Sequence, residues 1–149
     1  MSYSMGMQVT GLDGLLSKLG EMRSARARRI RRDALNVAAT PLLQMARQLV
    51  PVDSGLLKRS LGKRAKTYAS SGTVVVVIGP RSGFKQEVFS PKYGTQYRNP
   101  TKYAHLVEKG TVHSRGSHFM EQAVDATREQ VATTLAQKLS EGIERELAR

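Results

Sequence analysis

The stretch KRAKTYASSGTVVVVIG (63–79) decides the fold class of this 149-residue chain. Two runs of strand-forming residues, Lys63–Ala69 and Thr73–Gly79, lie on either side of a Ser-Ser-Gly turn, which is the pattern of a β-hairpin. The second run contains VVVVI (74–78), in which every residue is β-branched. Because such runs are typical of buried strands, it predicts a central strand that is covered on both faces.

Two helical patterns precede this hairpin. After a predicted short strand at Met5–Val9, leucines recur at i, i+3, i+4 and i+7 and predict a first helix; they are Leu12, Leu15, Leu16 and Leu19. Apolar residues then keep a helical period from Arg23 to Leu49. Pro41 lies inside this second segment, and proline removes a backbone donor and clashes with the preceding turn. We therefore expect the helix to kink or divide there.

A short helix is predicted after the hairpin by its end signals. Asn99 is a good N-cap, Pro100 suits the first helical position, and Gly110 suits the left-handed position after the last turn. The sequence YAHLV (103–107) could also alternate as a strand, but the caps favour a helix. Its predicted inner face consists of Tyr103, Leu106 and Val107.

The last apolar stripe predicts a long C-terminal helix over Ser117–Ala148, with buried positions repeating mainly every four residues. The predicted fold class is therefore α+β, with a small, mainly antiparallel sheet flanked by the two long helices Arg23–Leu49 and Ser117–Ala148. The chain length suits a single domain covering residues 1–149.

Residues 80–100 show no regular period and hold four of the eight aromatic residues of the chain. A structureless stretch of about 20 residues is uncommon in a compact domain and is usually functional or mobile. A disordered insertion is one interpretation, but aromatic residues are poor promoters of disorder. We therefore predict an extended aromatic loop that acts as an interface arm against another subunit; its candidate contact residues are Phe84, Phe89, Tyr93 and Tyr97.

The positive charge of the chain is concentrated in one region. The formal net charge is +12, and residues 21–66 hold 12 basic side chains against three acidic ones. Six arginines crowd the start of the second helical segment, too many to share one face; they are Arg23, Arg26, Arg28, Arg29, Arg31 and Arg32. They predict either an interface with an acidic protein ring or phosphate contacts with DNA. No zinc-finger, homeodomain or RNA-recognition signature accompanies them.

Nothing in the sequence indicates catalysis or a cofactor. His105, Glu108, His113 and His118 lie near one another in sequence, but their spacing matches no established zinc pattern, and Glu108 is expected to form a surface or interface ion pair. Ser54 lies between Asp53 and Gly55 without a GxSxG motif, so helix capping explains it better than nucleophilic chemistry. No cysteine is present, and no apolar run approaches the roughly 18 residues of a membrane span.

The order of these segments resembles the tail-component family of tailed bacteriophages, which includes head–tail joining and tail completion proteins. That family typically shows a P-x-D-T/S-G-x-L segment and then a Y-A-x-x-V-E-x-G-T segment, followed by an aromatic residue at the start of a C-terminal helix. The corresponding segments here are VPVDSGLLKRSL (50–61), YAHLVEKGT (103–111) and SHFMEQAVDA (117–126), and a predicted strand that ends in VVIGP (76–80) lies between the first two. Lys109 stands where the family commonly has an aromatic residue, and His118 and Gln122 replace frequent prolines.

The resemblance implies a structural subunit of a homo-oligomeric ring, hexameric or dodecameric, in the neck of the virion. Its partners would be other neck and tail proteins and could include DNA in the channel, and it would not contact a membrane. Before assembly it would reside in the host cytoplasm. The resemblance assigns no catalytic residue, cofactor or metal. Its motif residues would have structural roles, in capping and in shaping the corner before the last helix; they are Asp53, Ser54, Gly55, Leu56, Tyr103, Glu108 and Gly110.

Overall fold

A computed structural model describes residues 9–21 and 24–149. Most of the predicted strand Met5–Val9 lies outside the described residues, as does Arg23. Within the described ranges, the helices are α1 (Asp13–Glu21), α2 (Ser24–Ala38), α3 (Thr40–Leu49), α4 (Leu56–Ser60), α5 (Pro100–Lys109) and α6 (Phe119–Leu147). The strands are β1 (Leu61–Tyr68), β2 (Thr73–Pro80), β3 (Gln86–Ser90), β4 (Gly94–Arg98), β5 (Gly110–Thr111) and β6 (Ser114–Arg115). The predicted α+β class is confirmed.

The long helix α6 joins two apolar clusters into one core. Its buried residues repeat every four positions, and at 3.6 residues per turn such a stripe drifts by about 40° at each step. The early part of the stripe, from Phe119, packs with α3, whereas the later part, to Ile143, packs with α1 and α2. The buried stripe consists of Phe119, Ala123, Thr127, Val131, Leu135, Leu139 and Ile143.

The predicted break at Pro41 is confirmed, since α2 ends at Ala38 and α3 begins at Thr40. Lys63 on β1 bridges the break. Its ammonium donates hydrogen bonds to the carbonyl oxygen of Asn36 and, at 2.6 Å, to the hydroxyl of Thr40. A cation at the carboxyl end of a helix interacts favourably with the helix dipole. Burial of the Lys63 side chain lowers its pKa.

The strands β1 and β2 form the predicted antiparallel hairpin, with Leu61 opposite Pro80 and Tyr68 opposite Thr73. The prediction that β2 is central and covered on both faces is wrong. Alternate residues of β2 are half-buried, while Val75 and Val77 are 39% and 52% exposed. The β-branched run correctly indicates a strand, but only one face of this two-stranded sheet is covered, by α2.

The prediction of a structureless loop over residues 80–100 is also wrong. Residues Gln86–Ser90 and Gly94–Arg98 pair as a second antiparallel hairpin, with Gly94 at a φ of 68° in its turn. The sequence signal is weak because QEVFS (86–90) and GTQYR (94–98) carry polar residues on both faces, so that no apolar alternation is visible. The main contacts of β3 and β4 are with each other.

Candidate functional site

The PVDSGLL segment (51–57) forms the entry to the short helix α4. Gly55 occupies the N-cap position with φ 72° and ψ 1°, a left-handed conformation that suits glycine. The hydroxyl oxygen of Ser54 accepts a long hydrogen bond of 3.4 Å from the backbone N–H of Leu56. The prediction that Asp53 or Ser54 occupies the N-cap is therefore corrected. Leu56 is 2% exposed and anchors the segment in the interior.

The helix α5 begins as predicted, because the side chain of Asn99 accepts a hydrogen bond of 3.1 Å from the backbone N–H of Thr101. Tyr103 packs against the core cluster around α3. Burial raises the pKa of the Tyr103 hydroxyl; the positive charge of Arg98 opposes this shift and the negative charge of Asp53 adds to it. Leu106, predicted to face inward, is 43% exposed.

The corner between α5 and α6 contains several hydrogen bonds between residues of the family motifs and the start of the last helix. Glu108 is 4% exposed, and its two carboxylate oxygens accept hydrogen bonds from the backbone N–H groups of Met120, at 3.0 Å, and Glu121, at 3.2 Å. The side chain thus caps the first turn of α6 from another helix, where the unpaired N–H groups and the helix dipole favour an anion. The expectation of a surface or interface ion pair for Glu108 is wrong.

The backbone completes the same corner from the other side. The carbonyl oxygen of Val107 accepts hydrogen bonds from the backbone N–H and the hydroxyl of Ser117, both at 2.9 Å. The carbonyl oxygen of Glu108 accepts from the backbone N–H of His118 at 3.0 Å. Carbonyls near the carboxyl end of α5 therefore accept from the N–H groups of the two residues that immediately precede α6, which restrains the angle between the two helices.

Two glycines allow the backbone strands of the corner to touch. Gly110 has φ 88° and ψ 179°, so the predicted left-handed helical conformation is wrong in ψ, although φ is positive. A Cβ atom on Gly110 would lie 2.5 Å from the backbone nitrogen of Gly116. A Cβ atom on Gly116 would lie 2.4 Å from the carbonyl carbon of Lys109. Neither Gly116 nor the capping role of Glu108 is predicted from the sequence, because both depend on contacts between segments separated along the chain.

Within the predicted arginine cluster, three of the five arginines that the structure describes contact other parts of the chain. Arg26 Nη1 lies 3.3 Å from a carboxylate oxygen of Glu146 on α6. Arg28 and Arg31 each direct Nη1 to a carbonyl oxygen in the β1–β2 turn, namely that of Ala69 at 3.5 Å and that of Gly72 at 3.4 Å. These side chains link α2 to α6 and to the β1–β2 turn, beside the apolar contacts that pack α2 on α6.

The other two arginines of the cluster that the structure describes, Arg29 and Arg32, point outward. Arg29 and Arg32 both approach Asp33, with shortest N–O distances of 3.8 Å and 3.7 Å, and their side chains are 83% and 57% exposed. One carboxylate thus faces two guanidinium groups, which leaves net positive charge on this side of α2. The predicted cluster therefore divides into a structural part and an exposed part.

The predicted aromatic residues also divide into two groups. Phe84 is half-buried, with the guanidinium carbon of Arg81 at 5.3 Å from its ring centroid. Phe89, Tyr93 and Tyr97 are 74%, 64% and 67% exposed on the β3–β4 hairpin. Three large aromatic side chains in solvent on one small hairpin form an exposed apolar patch, and such patches mark interaction surfaces.

His105, Glu108, His113 and His118 are close in sequence but have different surroundings in the structure. Among residues 9–21 and 24–149, no three His, Cys, Asp or Glu side chains are placed to hold a metal ion together. His118 instead lies 3.2 Å from the carboxylate of Glu121, one turn further along α6. In the same described part of the chain, no helix combines the length and apolar character that crossing a bilayer requires.

Comparison with known proteins agrees with this geometry. The family described as "Bacteriophage HK97-gp10, putative tail-component" matches residues 13–110, which run from the start of α1 through the end of α5. Neither curated proteins nor solved structures gave a match. The matched range covers well over half of the chain and contains both the PVDSGLL segment and the YAHLVEKG segment. The chain therefore belongs to the HK97-gp10-like tail-component family of bacteriophages.

Proposed function

We propose that this chain is a non-catalytic subunit of a homo-oligomeric ring in the neck of a long-tailed phage, where the ring joins the head to the tail. The family is one of phage tail components, and so its members work among other phage proteins. The observation that carries the proposal is the exposed aromatic patch of the β3–β4 hairpin. A folded domain gains nothing in its own stability from such side chains, whereas a neighbouring subunit could bury them.

The motif residues support a structural role rather than a chemical one. The carboxylate of Glu108 accepts hydrogen bonds from the N-terminus of α6, and Gly110 allows two backbone segments to pack closely. Both functions hold helices in place. We propose a ring of six or twelve copies that forms at the particle from subunits supplied by the host cytoplasm, since closed rings arise from repeated identical contacts.

The experiment is complementation of a phage that lacks the gene. Purified particles are then imaged, and the symmetry of the neck is resolved. We expect the mutant to accumulate filled heads and separate tails, and the complemented particles to carry the chain in several symmetry-related copies between head and tail. Particles with one or two copies, or with the chain elsewhere, would contradict the proposal. Loss of DNA packaging instead of joining would also contradict it.

Direct DNA binding is the second candidate, favoured by the exposure of Arg29 and Arg32. In that case duplex affinity should fall with salt at a log–log slope of about −0.9 per phosphate contacted. The double change Arg29→Ser with Arg32→Ser should then weaken binding and flatten the slope, whereas it should leave the fold intact because both side chains are exposed. If these arginines face an acidic protein ring, the double variant should package DNA but fail to join heads to tails.

A further inference from the structure

Two strand faces in this chain are exposed and differ in character. The first, here named the sheet face, is the side of the β1–β2 hairpin that α2 does not cover. On β2 it presents Val75 and Val77, and on β1 the residues directly opposite them are Lys66 and Arg64. A row of apolar side chains thus runs beside a row of cations. Tyr68, opposite Thr73, extends the apolar character and is 49% exposed.

Neither cation of the sheet face has a partner. Within residues 9–21 and 24–149, the side chains of Arg64 and Lys66 make no ion pair or hydrogen bond. An antiparallel sheet with one face in solvent usually carries polar residues on that face. Here β2 instead places two valines in solvent, 39% and 52% exposed. The sheet face therefore has the composition of a surface that is covered in the assembled state.

The second surface, here named the hairpin face, is one side of the β3–β4 hairpin. Glu87 lies opposite Tyr97, and Phe89 lies opposite Thr95, so all four side chains share this face. Phe89 and Tyr97 are 74% and 67% exposed. Glu87 is exposed, and its carboxylate makes no ion pair or hydrogen bond in the described part of the chain. An aromatic pair beside one carboxylate complements valines beside two cations.

We infer that the hairpin face of one copy packs on the sheet face of a second copy, which deepens the ring proposed above and rests on it. Phe89 and Tyr97 would cover Val75 and Val77, since aromatic and β-branched side chains are favourable neighbours in sheets. Glu87 would meet Arg64 or Lys66. A second copy fits as the partner because the same chain carries both complementary faces and leaves both exposed. A contact between two different faces then repeats head to tail around a ring.

The size of the two faces indicates when the contact forms. The hairpin face offers four side chains and the sheet face six, fewer than the roughly 20–30 residues per side of a stable interface. The contact is therefore expected to be weak between free subunits. On the particle, neighbouring proteins hold the subunits close together, and the raised effective concentration then favours it.

Engineered cysteines test the contact. Because the chain has no native cysteine, every disulfide between copies must involve an engineered one. Val75→Cys or Val77→Cys on the sheet face is combined with Glu87→Cys or Thr95→Cys on the hairpin face, giving four double variants. Each is placed in particles by complementation, oxidised and separated without reductant. We expect at least one double variant to give a ladder of covalent oligomers, because two different faces link each copy to two neighbours. Single-cysteine variants should stop at the dimer.

A matched control combines Val77→Cys with Thr133→Cys, an exposed position on α6. If this control gives the same ladder, or if none of the four double variants gives one in particles that contain the chain, the inference is wrong. Adducts with a different phage protein would also overturn it. Particles that lack the chain altogether would instead contradict the proposed neck function, so the two failures are distinguishable.

Charge exchange provides a second test that does not depend on strand register. Glu87→Lys should lower the phage titre about three- to tenfold, since exposed charge pairs contribute modestly and the contact repeats in every subunit. Arg64→Glu with Lys66→Glu should lower it similarly. The triple variant should recover most of the titre if the two faces meet. A triple variant that performs no better than either parent would overturn the inference.

Discussion

The α5–α6 corner and the β3–β4 hairpin differ in how their side chains are satisfied: Glu108 at the corner is buried and hydrogen-bonded, whereas the aromatic side chains of the hairpin are exposed. At the corner, carboxylate oxygens, backbone N–H groups and carbonyls satisfy one another at 2.9–3.2 Å, and glycine backbones touch. On the hairpin, Phe89 and Tyr97 lie in solvent and Glu87 has no partner in the described residues. The family motif residues at the corner therefore stabilise the subunit, whereas the proposed contacts between subunits use residues outside those motifs.

The largest effect is expected for Gly110→Ala, which tests the corner directly. Its positive φ adds strain, and the new Cβ atom would lie 2.5 Å from a backbone nitrogen that cannot rotate away. We expect a loss of about 4 kcal/mol in the free energy of unfolding. For a chain of this size that lowers the melting temperature by roughly 8–16 °C, measured by circular dichroism.

Gly11→Ala is the matched control, because Gly11 has a similar φ of 85° but open space around a Cβ atom. Only the backbone strain should appear there, about 1 kcal/mol. Equal losses at the two glycines would show that close packing at the corner contributes nothing.

Glu108→Ala should have the next largest effect. It leaves two backbone N–H groups at the start of α6 without their acceptor in a buried site, which costs about 3 kcal/mol of unfolding free energy. The control is Glu121→Ala in the same turn, which removes only an exposed contact with His118 and should cost less than about 1 kcal/mol. If chemical denaturation gives the same midpoint shift for both variants, the capping role is wrong.

The corner also shows what the sequence could and could not reveal. Local signals gave the class of the fold, the division at Pro41 and the cap at Asn99, because each depends on residues a few positions apart. The role of Glu108 depends on N–H groups 12 and 13 positions later, which no local pattern reports. The uncovered face of β2 was missed because a run of valines indicates a strand without indicating how many strands flank it.

The hairpin was missed for a related reason. Its strands bury little and carry polar residues on both sides, so alternation did not mark them, although their aromatic residues did indicate an interface arm. That arm remains a prediction for the assembled particle. The concentration of aromatic residues in residues 80–100 is visible in the sequence. The position of Glu87 opposite Tyr97 across the hairpin is seen only in the structure.

Gly55→Val tests the remaining motif, with an intermediate effect. Its φ of 72° is unfavourable for a β-branched residue, but no atom lies within 4 Å of a new Cβ atom, so strain alone should cost about 2 kcal/mol. The neighbouring change Ser54→Ala should cost only about 0.5 kcal/mol, since it removes a long hydrogen bond of 3.4 Å. If Ser54→Ala abolishes phage titre at an unchanged melting temperature, the structural interpretation of this segment is wrong and a chemical role must be considered.

The smallest effect on stability is expected for Tyr97→Ala, which separates the role of the hairpin from that of the corner. The side chain is 67% exposed and belongs to a hairpin whose main contacts are internal, so the free energy of unfolding should change by no more than about 0.5 kcal/mol. Phage titre should nevertheless fall at least roughly tenfold, because a buried aromatic anchor typically contributes 2 kcal/mol or more at an interface. Gln96→Ala, on the other face of the same strand, is the control and should alter neither measurement. A Tyr97→Ala protein that melts as early as Glu108→Ala would show that the hairpin is part of the folded core, and the distinction between the two regions would not hold.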